Sequence, residues 1–341
     1  MWVKDQRYTD IMPCEFPKKV FHGGETYAGA KAAEGAVLNV SASLNPFAPA
    51  VPCLFSAEDA ASYPDNSYAE LKEAISRVFK RPAEEICVGN GSAELIRIYC
   101  QVVSGTRCRI DMPTFGEYAL SAELAGKTVT EHPKDWDVRF ICNPENPAGT
   151  MLERDEMVSI VSDAEDAGRQ IFADEAFMDL AETDESVSDV SSDSLFVLRS
   201  LTKSFAVPGL RFGFGFGSPE LIEKIETARP PWSVNAFAEK FAKEALKQYG
   251  LLRESARKIT REREWYFDEL ESRRLPYFAA KANYICFSVG RSAEEVARAM
   301  LKEGVYVRDC TSFGLPENIR VSIETRDKNK HVLEVLDKCL A

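Results

Sequence analysis

Residues 195–211 read LFVLRSLTKSFAVPGLR, an apolar β-type run that delivers Lys203 beside a serine, a threonine and an arginine. A lysine on a solvated face needs no such approach. Two further segments have the same form. Residues 138–149, VRFICNPENPAG, run apolar and then open into Asn and Pro, and residues 170–177, QIFADEAF, run apolar into Asp174. In an open parallel α/β sheet, ligands bind outside the carboxyl ends of the strands, so strands ending at Asn146, Asp174 and Lys203 predict one shared site. An amide, a carboxylate and an amine converging there suit pyridoxal 5′-phosphate. The lysine would bond the aldehyde carbon and the carboxylate would pair with the pyridinium nitrogen.

Composition narrows the class. With 341 residues, 45% of them hydrophobic and 28% charged, the chain has material for a large core and the balance of an ordinary globular protein. A formal charge of −12 argues against a nucleic-acid surface but leaves room for local basic patches around an anionic substrate. Nine scattered cysteines without a CxxC pair suggest reduced thiols, and Cys87, Cys142 and Cys286 lie in apolar runs that read as core. Three histidines without ligand spacing argue against a metal site. The N-terminal residues lack a signal-peptide core and no apolar run approaches the length of a membrane span, so a cytoplasmic protein without membrane partners is expected.

Along the chain, residues 1–45 read as an N-terminal arm and part of a smaller unit. Residues 67–79 predict a helix opened by a Ser67–Glu70 capping box. The run EEICVGNGS then feeds the helix AELIRIYCQVV, and strands alternate with helices to about residue 217, the pattern of a mostly parallel sheet covered on both faces. The acidic residues 182–193 read as a solvated loop without chemistry. Residues 46–235 are therefore expected to form a large domain. Residues 236–341 are expected to form a small α+β domain, with a long helical stretch at 236–274, a second capping box at Ser292 and Glu295, and strands ANYICFSV, VYVRD and NIRVSIE.

The blocks NPENPAG, DEAF and SLTKSFAVPGLRFG, in this order and spacing, resemble the signature blocks of fold-type I pyridoxal-phosphate enzymes, the class I/II aminotransferase superfamily. The resemblance covers nearly the whole chain and implies an α/β fold with a large, mostly parallel sheet domain and a smaller α+β domain. Within the superfamily, FHGGETY (21–27), PPWSVNAFA (230–238) and VRDCTSFGL (307–315) are more similar to the threonine-phosphate decarboxylases of cobalamin biosynthesis than to the related histidinol-phosphate aminotransferases.

The resemblance implies roles residue by residue. Lys203 would hold the cofactor and shuttle a proton, Asp174 would keep the ring nitrogen protonated, and Asn146 would bond the ring 3′-oxygen. Ser200 and Arg211 match the phosphate-binding serine and arginine. Gly91, Ser92 and Ala93 open a helix whose free N–H groups suit an anion, although an ordinary cap would look the same. Phe115, in MPTFGEY, matches the aromatic residue stacked on the ring, and Tyr63 matches a tyrosine that reaches the phosphate across a dimer interface, which implies a homodimer. Arg320 matches the arginine for the substrate α-carboxylate. Arg308, His22 and Gly23 are candidates for the rest of a small phosphorylated amino acid, with exposed arginines and a simple turn as the plain alternatives. Phe177 stands where aminotransferases of the superfamily commonly carry a tyrosine, so one donor to the 3′-oxygen is missing. The implied activity is decarboxylation of L-threonine O-3-phosphate to (R)-1-aminopropan-2-yl phosphate, with transamination of histidinol phosphate or another amino acid as the alternative. No amine other than Lys203 is expected at the site, Lys224 lying outside these blocks.

Overall fold

The computed structural model describes residues 17–20, 22 and 37–341. In chain order the first half runs β1 (Leu38–Asn39), α1 (Ala69–Phe79), β2 (Ile86–Gly89), α2 (Ser92–Val102), β3 (Arg107–Ile110), α3 (Glu117–Leu124), β4 (Thr128–Thr130), β5 (Val138–Cys142), α4 (Arg154–Asp166) and β6 (Gln170–Asp174). It continues through β7 (Leu195–Arg199), α5 (Leu201–Ser204), β8 (Gly213–Phe216), α6 (Pro219–Ala228), α7 (Ala236–Lys247) and α8 (Leu252–Ser272). The last stretch is β9 (Tyr284–Ser288), α9 (Ala293–Lys302), β10 (Val305–Tyr306), β11 (Arg308–Asp309), β12 (Asn318–Ser322) and α10 (Arg326–Leu340).

Seven strands form one sheet in the order β2-β8-β7-β6-β5-β3-β4. The pairs β3–β4, β3–β5, β5–β6 and β6–β7 are parallel, whereas β8 is antiparallel to both β7 and β2. This is the expected α/β class with a mostly parallel sheet. Strand alternation builds two cores from it. Ile171, Ala173 and Val197 face a core covered by α1, α4 and α7. Phe172, Phe196 and Leu198 face the opposite core, covered by α2, α3 and α6. A second sheet, β11-β12-β9, packs its own core against α8, α9 and α10.

Four local expectations change. Helix α1 begins at Ala69 because Tyr68 is left-handed (φ 50°) and buried, its hydroxyl donating to the Val234 carbonyl at 3.0 Å and accepting the Val234 N–H at 3.1 Å. Ser67 is thus outside the helix. Asp65 takes over the start, accepting the N–H groups of Ser67 (3.0 Å) and Ala69 (3.1 Å), and Glu70 pairs with Lys243 at 2.9 Å instead of capping. Ser292 does accept the Glu295 N–H as expected, at 3.3 Å.

The stretch at 236–274 is two helices broken by a 3₁₀ turn at Tyr249–Leu251, where the half-buried Tyr249 is held through its hydroxyl by Asp179 and Arg199. VYVRD splits at Val307, with β10 pairing parallel to β1 and β11 pairing antiparallel to β12. The acidic loop is anchored rather than fully solvated. Val187 is buried in the core, Glu175 accepts its N–H at 2.8 Å, and Asp189 pairs with Arg154 at 2.8 Å.

The Asp65 cap carries a test. Asp65→Ala should lower unfolding free energy by about 1 kcal/mol, the usual worth of an N-terminal cap, while Glu70→Ala, which removes only an exposed ion pair, should leave it unchanged within error. Urea unfolding of both variants checks this, and a larger loss in Glu70→Ala would restore the capping-box reading.

Candidate active site

Sheet direction explains the site. β5, β6 and β7 run parallel, and β2, antiparallel to the antiparallel β8, runs the same way. Their carboxyl ends, and that of β3, therefore open at one edge, where β8 begins. Gly91 to Ala93, Phe115, Asn146 and Lys203 follow such ends, Asp174 is itself the last residue of β6, and Arg211 precedes β8 by two residues. A cavity of about 770 Å³ lies there, also lined by Arg308 and Arg320 of the second sheet.

Lys203 sits on α5, whose N-terminus is capped by the Ser200 hydroxyl, itself 2.9 Å from the Thr202 hydroxyl. The chain before α1 pins this short helix. Asn45 donates its N–H to the Lys203 carbonyl (3.1 Å) and its side-chain amide to the Ser204 carbonyl (2.8 Å), while the Lys203 amine donates to the Ala42 carbonyl at 2.9 Å. Burial, followed by the charges of Arg320 and Arg211, pulls the amine down to about 8. A lysine with that value keeps about a tenth of its amine neutral and nucleophilic at pH 7.

Asp174 is buried at the end of β6 and accepts the Tyr118 hydroxyl at 2.7 Å and the Ala176 N–H at 3.0 Å. Burial still dominates and pushes its carboxyl up to about 6. A cationic ring nitrogen set against it would reverse that penalty. Tyr118 escaped the reading of the sequence, although it stands in MPTFGEY, three residues after Phe115, on the first turn of α3. The Phe115 and Tyr118 rings meet edge to face at 5.5 Å.

The phosphate candidates form a cradle. Gly91 (φ +81°) turns the chain into α2, and a side chain on it would collide with the Arg211 guanidinium. A Cβ on Gly213 would lie 2.7 Å from the Ser92 nitrogen. Both glycines leave room for backbone N–H groups, the Ser200 hydroxyl and a guanidinium to close on an anion at the positive end of an 11-residue helix. These residues fit pyridoxal 5′-phosphate: an anion cradle, an amine of lowered basicity and a buried carboxylate line one cavity.

At the other wall, Arg308 and Arg320 are paired directly across β11 and β12, and both are buried. Arg320 donates to the Asn146 side-chain oxygen and to the Ser41 carbonyl (3.0 Å), with its guanidinium 4.9 Å over the Tyr284 ring. Arg308 donates to the Ser312 hydroxyl at 2.8 Å and lies 5.1 Å from the Phe313 ring. Burial first, and the neighbouring Arg320 charge second, hold Arg308 below its ordinary value. Neither is the exposed arginine of the plain alternative.

His22 packs 5.6 Å from Phe115 and bonds Glu117 at 2.8 Å, holding that carboxyl below its usual range. Phe177 lines the cavity edge-on to Tyr284, whose hydroxyl goes to the Glu145 carbonyl at 2.6 Å. Tyr63 does not line the cavity. It is 78% exposed and stacks at 4.4 Å on Trp232. Gly23 lies outside the described residues. The expectation of a single amine is corrected, since Lys18 and Lys19 also line the cavity, both exposed. Thr202, Cys142 and Arg97 join the lining unforeseen. Among the described residues no cluster suits a metal ion and no helix is long and apolar enough to cross a membrane.

Comparison with known proteins agrees with this geometry. Residues 43–336 match the family model for aminotransferase class I and II. A histidinol-phosphate aminotransferase of Symbiobacterium thermophilum is 30% identical over 300 residues, 82% of each chain. A Caldanaerobacter subterraneus subsp. tengcongensis protein assigned as a threonine-phosphate decarboxylase is 31% identical over 306 residues, covering 82% of this chain and 83% of its own. The fold superposes on the histidinol-phosphate aminotransferase of Sinorhizobium meliloti, solved in complex with pyridoxal 5′-phosphate, with a TM-score of 0.80 at 17% identity, over 88% of this chain and 90% of that one. The chain belongs to the class I and II aminotransferase family, whose cofactor is pyridoxal 5′-phosphate.

Proposed function

We propose that this enzyme decarboxylates L-threonine O-3-phosphate, yielding (R)-1-aminopropan-2-yl phosphate, in the manner of the decarboxylases of cobalamin biosynthesis. The observation that carries the reading is the cross-strand pair Arg308 and Arg320. Like charges directly opposite on neighbouring strands repel, and both are buried, so the pair favours a ligand with two anionic groups. A phosphorylated amino acid has both. Arg320 would grip the α-carboxylate and Arg308 the distal phosphate, with His22, which lines the same cavity, as a further candidate contact to the substrate.

When bound, pyridoxal 5′-phosphate supplies an electron sink for the pair left at the substrate α-carbon. Asp174, held by Tyr118, would keep the ring nitrogen protonated, and Asn146 would donate to the ring oxygen. Gly91, Ser92, Ala93, Ser200 and Arg211 would hold the cofactor phosphate, joined by Tyr63 from the second subunit of a homodimer, and Phe115 would stack on the ring. Lys203 would hold the cofactor and, once displaced by the substrate amine, return a proton to the α-carbon. Phe177 leaves the ring oxygen without one donor, which favours the decarboxylase over a standard transaminase.

A second reading, transamination of histidinol phosphate, is favoured by the 30% identical relative of that name. The two reactions use the same residues and differ in which α-carbon bond stands perpendicular to the ring. Purified enzyme with threonine phosphate should release carbon dioxide without any oxo acid. Glutamate formation from 2-oxoglutarate and histidinol phosphate, with no carbon dioxide from threonine phosphate, would replace the first reading by the second.

Arg308→Ala should lower kcat/KM for threonine phosphate about a hundredfold while changing that for unphosphorylated threonine far less. An equal loss for both substrates would remove Arg308 from the phosphate. For Asp174, cofactor binding needs the carboxylate form, so it is intact above the carboxyl's pKa and fades as pH falls through it. Tyr118→Phe deletes a donor that stabilises the anion, and should move the onset of weakened binding to higher pH, by about one unit. Cofactor titrations between about pH 5 and 8 check this, and superimposable curves for variant and wild type would contradict it.

A further inference from the structure

Behind the strand ends that carry Asp174 and Lys203 lies a buried polar cluster that touches neither the cavity nor any expected ligand. Its centre is Arg199, the last residue of β7, which is 3% exposed. Its guanidinium donates to Glu175 at 2.6 Å, to the Ser186 hydroxyl at 3.2 Å, to Asp179 and to the Tyr249 hydroxyl at 2.8 Å. Asp179 also accepts the Tyr249 hydroxyl and, through its second oxygen, the Ser204 hydroxyl at 3.0 Å. Against burial, Asp179, then Tyr249 and Glu175, hold the guanidinium above its ordinary value, so it stays charged.

The cluster's sequence positions matter more than its energy. Glu175 directly follows Asp174, Ser200 directly follows Arg199, and Ser204 directly follows Lys203. Neighbouring residues on extended chain point to opposite sides. While Asp174 faces the cavity, Glu175 reaches backward to Arg199, and its own N–H is bonded to the Leu198 carbonyl at 2.9 Å. On the helix side, Ser204 ties the turn that bears Lys203 to Asp179. None of Arg199, Glu175, Asp179, Ser204 and Tyr249 lines the cavity. A buried ion-pair cluster is a weak source of stability, because desolvation consumes most of the attraction, and its attested use is to specify geometry.

We propose that Arg199 and Asp179 are positioning residues of the reaction, fixing the separation and direction of Asp174 and Lys203 by holding Glu175 just after the end of β6 and Ser204 on the short helix α5 that follows β7. This rests on the roles proposed above for Asp174 and Lys203. Arg199 supplies what a lysine would not, a planar fork that reaches two carboxylates at once. Tyr249, on the turn between α7 and α8, closes the cluster from outside.

The test compares wild type with Arg199→Met and Ser204→Ala, each loaded with pyridoxal 5′-phosphate. Ser204→Ala leaves the Arg199 ion pairs intact and removes only the link to the Lys203 turn, so it decides the question even if Arg199→Met fails to fold. Three quantities are measured: the pH midpoint of the visible band of the lysine-bound cofactor, the cofactor dissociation constant, and the melting temperature of the cofactor-free protein. In Ser204→Ala the midpoint should shift measurably and the dissociation constant rise about fivefold, the worth of one buried hydrogen bond. The melting temperature should change by no more than about 2 °C. An unchanged midpoint and dissociation constant, whatever the melting temperature, would reduce the cluster to a structural one. Absence of a borohydride-sensitive band in wild type would instead overturn the assignment of Lys203, and this proposal with it.

Discussion

The parallel pairing of β5, β6 and β7 is the constraint on which the rest of the molecule depends. Because these strands point the same way, three segments far apart in sequence release their polar residues at one edge, and α2 offers its positive end at the same place. The strands themselves are apolar and buried on both faces, which keeps their positions fixed. The polar groups stand at or just after the last paired residues, where the backbone turns away and side chains meet a shared cavity. One rule of sheet topology therefore assembles an amine, a carboxylate, an amide and an anion cradle without any of them lying close in the chain.

Electrostatics then differentiates groups that start out ordinary. Burial works on Lys203 and Asp174 in opposite directions, lowering the amine to about 8 and raising the carboxyl to about 6, so both titrate near neutrality. The Tyr118 hydroxyl partly offsets the penalty on Asp174. Arg320 bridges the two sheets by bonding Asn146 while it depresses both Lys203 and Arg308. Among the described residues that line the cavity, seven lysines and arginines outnumber three carboxylates, so the site suits an anion although the chain carries a net charge of −12.

Much of this was legible from local sequence, because strand ends and helix starts are local events. Asp174 and Lys203 could be read from apolar runs that stop at a polar residue, and Gly91 from its turn into a helix. What escaped the reading joins residues far apart. Tyr118 meets Asp174 across 56 positions, and Arg199 meets Tyr249 across 50. Lys18 and Lys19 reach the cavity from the N-terminal segment, whose path no periodicity reveals. The capping box at Ser67 failed for a related reason: the buried hydrogen bonds of Tyr68 to Val234, 166 residues away, set the backbone that decides where α1 starts. Local rules hold until a tertiary contact overrides them.

The central claim is that Lys203 is the amine to which the cofactor attaches. Borohydride reduction of the enzyme loaded with pyridoxal 5′-phosphate, followed by protease digestion and mass spectrometry, tests it directly. The account predicts one pyridoxyl-phosphate adduct, on Lys203, in the peptide that contains SLTKSF. An adduct on Lys18 or Lys19 with Lys203 unmodified would contradict it.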